Sequence, residues 1–88
     1  MTNVVTMELT RGGRAEVVAI EGDRLEVASD IASAPGSRLE GALENGQTLR
    51  LKVHRCVRNG ERFDIEGRCI DLTRGLREWL IQRVSTDG

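Results

Sequence analysis

Apolar and polar residues alternate along the chain as far as Leu72, after which the period becomes helical. A period of two places successive side chains on opposite faces of a strand. Val5, Met7 and Leu9 share one face of a first strand over about 3–10, and Thr6, Glu8 and Thr10 share the other. Gly12-Gly13 turns the chain. The second strand, 14–21, is Val-rich and alternates weakly, which predicts burial on both faces. After Glu21-Gly22-Asp23, a third strand over 24–29 alternates Leu25 and Val27 with Arg24 and Glu26. Residues 30–36 read as a loop that carries Pro35. A fourth strand, 37–43, points Leu39, Gly41 and Leu43 inward. A fifth, 48–57, points Leu49, Leu51 and Val53 inward, with Arg50, Lys52 and His54 opposite. A sixth, 62–70, alternates Phe63, Ile65 and Gly67 with Asp64, Glu66 and Arg68.

The Asn-Gly pairs at 45–46 and 59–60 set expected registers. A three-residue loop at 58–60 with Gly60 left-handed pairs Val53 with Ile65 and keeps the apolar faces together; a two-residue loop at 59–60 does not. The same reasoning gives a 44–46 loop, Gly46 left-handed, with Leu39 opposite Leu51. Over 73–84, Leu76, Trp79, Leu80 and Val84 recur at helical spacing, with Arg74, Arg77, Glu78 and Gln82 on the far face. Asp71 or Thr73 can cap this helix, and residues 85–88 are expected to fray. Short links between strands imply antiparallel pairing. Six amphipathic antiparallel strands bury their shared face by closing into a barrel, with the helix over an opening or edge. The expected architecture is therefore mainly β: one domain over 1–88, a six-stranded antiparallel barrel and a C-terminal helix.

Composition narrows the function classes. Hydrophobic residues are 39% and charged residues 31% of the 88, as in a globular domain. Phe63 and Trp79 are the only aromatics, so the core is aliphatic and thin for its size, which leaves room for help from self-association. Thirteen basic and 14 acidic residues give a formal net charge of -1, without the basic excess of nucleic-acid-binding domains. Cys56 and Cys69 form no CxxC pair, and free thiols point to a reducing, cytoplasmic setting. No signal peptide and no membrane span are expected.

The stretches APGSRLEGAL, QTLRLKVHRCVRNGERFDIEGRCIDL and TRGLREWLIQRV resemble the PilZ family. They look like its proline-glycine opening to a barrel strand, its last hairpin and its closing helix, and together they cover somewhat more than half the chain. The resemblance implies a six-stranded barrel with a C-terminal helix and a role in bacterial signalling. It also implies cyclic di-GMP as ligand where two motifs are present: RxxxR ahead of the first strand, and [D/N]xSxxG near the end of the second. Only Met1-Thr2-Asn3 precedes the first strand here, and residues 19–24 stand where the second motif would lie. Arg11 and Arg14 form a shorter RxxR in a turn. Asp30, Ser33 and Gly36 form a longer DxxSxxG one strand late. Either a shifted register recruits these five residues to the ligand, or they are solvated charges and local loop hydrogen bonds.

Other chemistry is sparse. His54, the single histidine, stands among cations and lacks a nucleophile in an elbow context. His54, Cys56 and Cys69 fall short of a zinc ligand set, and phosphate-loop motifs are missing. No enzyme, metal or resident cofactor is expected. Arg50, Lys52, His54, Arg55 and Arg58 make a candidate basic interaction face. The scarcity of aromatics weighs against nucleic acid there. Leu76 and Trp79 would form a docking face if the helix exposes them. The sequence thus points to a regulatory or adaptor module that binds another protein, its cyclic di-GMP site degenerate. A cyclic di-GMP receptor with a variant site and a small-barrel nucleic-acid binder are the alternatives.

Overall fold

The computed structural model describes residues 4–84. The expected strand start at residue 3 and the fraying expected at 85–88 lie outside them. The chain is a closed six-stranded antiparallel barrel followed by one helix. Its strands are β1 (Val5–Leu9), β2 (Arg14–Glu21), β3 (Arg24–Ser29), β4 (Arg38–Leu43), β5 (Thr48–Asn59) and β6 (Arg62–Cys69), and the helix is α1 (Arg74–Arg83). Around the barrel the order is β1-β2-β3-β6-β5-β4, with β4 closing onto β1. Closure leaves no free strand edge among the described residues.

Inward positions fill the barrel with aliphatic side chains. Met7, Ala15, Val17, Leu25, Leu39 and Leu51 are 0% exposed. Leu76, Leu80 and Val84 join the same cluster from the helix side, and Phe63 and Trp79 pack against it half-buried. Gly67 is needed inside the wall. A Cβ there would lie 2.5 Å from the Lys52 carbonyl oxygen and 2.6 Å from Leu51 Cδ1.

Two β-bulges revise the sequence reading. In β2 the register shifts between Val17 and Ala19. Val18 is the extra residue, so Ile20, opposite Leu25, returns to the inner side. The weak alternation of this strand reflects a change of phase, not burial on both faces. In β5 the register shifts between Val53 and Arg55. The β5–β6 turn is a two-residue turn on Gly60-Glu61, with Asn59 opposite Arg62, Val53 opposite Gly67 and Leu51 opposite Cys69. This corrects the expected 58–60 loop and the Val53–Ile65 pairing. The extra residue at His54 restores the match of apolar faces that the loop was expected to supply, and a positive φ at Gly60 alone (66°) suits a turn with glycine first. The other hairpin is as expected: Leu39 faces Leu51, Leu43 N–H donates to Gln47 O and Gly46 has φ 86°. Both bulges border one outer row, Ala19–Glu26–Glu66–Arg55, so the wall bends at a single level.

β3 and β4 lie on opposite sides of the barrel, so the loop joining them passes across one end. Gly36 N–H donates to Val53 O at 2.7 Å, Val53 N–H donates to Ser37 O at 2.8 Å, and Ile31 packs on the core. The helix lies at the other end, where Thr73, Arg74 and Arg77 adjoin Asp23 and Cys69. Thr73 is its N-cap: the Oγ1 accepts from Leu76 N–H at 3.1 Å. Asp71 sits at φ 56°, shaping the approach without capping. No helix among the described residues is long and apolar enough to cross a membrane.

Candidate functional site

The loop end of the barrel gathers some of the residues singled out from the sequence. Arg14 and Asp30 meet through the backbone and a side chain: Asp30 N–H donates to Arg14 O at 2.9 Å, and Arg14 N–H donates to Asp30 Oδ2 at 3.3 Å. A shallow depression beside them is lined by Thr6, Arg14, Glu16, Asp30, Glu61 and Arg62. Arg62 is its hub. Its Nη1 lies 2.8 Å from Glu16 Oε1, its Nη2 donates to Ala28 O at 3.1 Å, and its Nε faces Asp30 Oδ1 at 3.8 Å. A guanidinium fork can serve several acceptors at once, and here it ties β6 to β2 and β3. Three carboxylates surround two arginines, so the depression is a poor cradle for an anion.

The remaining loop residues do not converge on it. Arg11 is exposed on the β1–β2 turn. Ser33 is 2% exposed, and its Oγ has no hydrogen-bond partner among the described residues. Gly36 is bonded to β5, at φ 90°. The structure thus brings Arg14 and Asp30 together and leaves Arg11, Ser33 and Gly36 apart from them.

The basic face is divided by the His54 bulge. Arg50 and Lys52 point outward before it, and Arg55 points outward after it, opposite Glu66. Arg58 is opposite Phe63, on the side that faces inward lower in the strand, and its Nε donates to Gly60 O at 3.1 Å. His54 itself is exposed beside Arg24, Glu66 and Arg68. Lys52 lies directly between Arg38 on β4 and Arg68 on β6, and Arg68 lies opposite Arg24 on β3. Arg24 and Arg38 were not singled out from the sequence. Each stands beside a glutamate in its own strand, and only the strand order reveals their alignment.

The helix offers less than its sequence suggested. Leu76 is 7% exposed within the core and cannot meet a partner. Trp79 is half-buried, with the Arg83 guanidinium 5.4 Å from its ring centroid. Cys56 and Cys69 are both free thiols, opposite Ile65 and Leu51 respectively, so they are not neighbours. Among the described residues no group of three or more His, Cys, Asp or Glu side chains could hold a metal ion. Compared with protein-family models, with curated proteins and with solved structures, the chain finds no match in any of the three.

Proposed function

We propose that this chain is a non-enzymatic regulatory module of bacterial signalling, PilZ-like in kind and cytoplasmic, that works through contacts of its outer surface with another protein. The observation that carries this reading is the filled interior. Met7, Val17, Leu25, Leu39 and Leu51 are 0% exposed, so the barrel is a core and not a ligand vessel. Recognition then falls to the outer wall and the loops. The polar residues at the loop end support a degenerate cyclic di-GMP site, because carboxylates outnumber arginines around Arg14 and Ser33 is turned into the fold.

Calorimetric titration with cyclic di-GMP tests the reading. No saturable heat at micromolar concentration is expected. Saturable binding would overturn it in favour of a variant receptor, the second reading, for which the Arg14–Asp30 contact is the favouring observation. In that event Arg11→Ala and Arg14→Ala would abolish binding if those residues hold the ligand.

A further inference from the structure

Four cations stand in one row across four neighbouring strands: Arg38 on β4, Lys52 on β5, Arg68 on β6 and Arg24 on β3. Each is directly opposite the next. Like charges directly opposite in a sheet are destabilising, so the row works against the fold. At the β3 end the repulsion is relieved diagonally, by an Arg24–Glu66 ion pair and by Asp23 Oδ2 at 3.4 Å from Arg68 Nε. At the β4–β5 end it is not. Arg38 and Lys52 make no ion pair among the described residues. Arg50 on the flanking row is 3.6 Å from Glu40, and exposed His54 lies on the other flank. The overall charge of -1 conceals this segregation.

From this row we infer a docking site for an extended acidic segment of a partner protein, centred on Arg38 and Lys52. Arg38 and Lys52 stand on adjacent strands roughly 5 Å apart, and alternate side chains of an extended peptide, roughly 7 Å apart, can bring a carboxylate to each. The chemistry favours a peptide over a nucleic acid. Glu40 and Glu66 border the row, each paired with an arginine, and disfavour an unbroken run of phosphates, whereas a peptide can space its carboxylates to avoid them. The face also lacks a Phe, Tyr or Trp ring for bases to stack on, since Phe63 packs on the core and Trp79 lies on the helix under Arg83. The inference rests on the reading of the chain as a protein-binding module.

The test is fluorescence anisotropy with a labelled peptide of alternating Glu and Ser. Saturable binding that weakens as salt rises is expected. Lys52→Glu and Arg38→Glu should each weaken it by about tenfold or more. Arg74→Glu, the same charge change on the exposed first turn of the helix, should leave it unchanged. Lys52→Glu removes a like-charge opposition, so its denaturation midpoint should equal or exceed that of the parent, which excludes loss through unfolding. No saturable binding at low salt would overturn the proposal, as would equal losses in Lys52→Glu and Arg74→Glu, or tighter binding of a single-stranded oligonucleotide. Such a result would remove this surface and leave the adaptor reading to the cyclic di-GMP titration, which judges it separately.

Discussion

Cys69 lies on the inner side of β6, 8% exposed, next to the Asp23 turn. Burial, with a smaller push from the Asp23 charge, raises its thiol pKa from the ordinary 9.0 to about 11, and a backbone hydrogen bond to Ile70 offsets part of this. Below about 9 both folded and unfolded chains hold the proton, and the stabilising contribution is complete. As pH rises from 9 toward 11 the unfolded chain loses its proton first, so stability falls, by on the order of 2 kcal/mol in full. The chain has no tyrosine and one lysine, which leaves few other groups to titrate in this window. Urea midpoints should therefore drop between pH 9 and 11 in the parent and stay nearly flat in Cys69→Ala; equal slopes would assign the alkaline loss to another group. The inward position of Cys69 continues the alternation of Phe63, Ile65 and Gly67, but its partner Leu51 and its nearness to Asp23 follow only from the pairing of β6 with its neighbours.

Among the elements, β5 and β6 form the longest ladder, from Leu51–Cys69 to Asn59–Arg62. The seam that closes the barrel is much shorter, from Met7–Leu43 to Leu9–Gly41, with Thr10 N–H donating to Glu40 O at 2.9 Å beyond it. Local opening starts where backbone pairing and burial are least. Hydrogen exchange should accordingly be faster at Thr10 than at interior amides of β5 and β6. Uniform protection would mean that the barrel opens only as a whole. The two hairpins show how far periodicity reaches. Asn45-Gly46 fixed the β4–β5 register because that ladder, from Arg38–Lys52 to Ala42–Thr48, ends before the bulge of β5. At 59–60 the same dipeptide misled, because the bulge at His54 changes phase inside the strand. A bulge answers to the curvature of the closed wall, which local alternation does not encode.

At the scale of the molecule, barrel and helix share one core. Leu80 is 0% exposed and belongs to the same cluster as Leu25, Leu51 and Ile65. Leu80→Ala should lower stability by about 2–4 kcal/mol and shift a single cooperative unfolding transition for the whole chain. Two separated transitions would show that the helix melts independently of the barrel. A core with no aromatic residue fully inside it has little redundancy, so one such cavity removes a large part of a small domain's stability.

The sequence by itself determined the strands, their inward faces away from the two bulges, the helix, and the closed β class, because each follows from local period and turn chemistry; it left the cap between Asp71 and Thr73. The tertiary structure alone decided the order β1-β2-β3-β6-β5-β4, the two bulges, and which outward side chains become neighbours. Arg24, Arg38, Lys52 and Arg68 are scattered through the chain and meet only because β6 lies between β3 and β5. Alternation says which side of a strand a residue takes, and contacts between distant strands say what it meets there. The candidate docking row is therefore invisible until the barrel is closed.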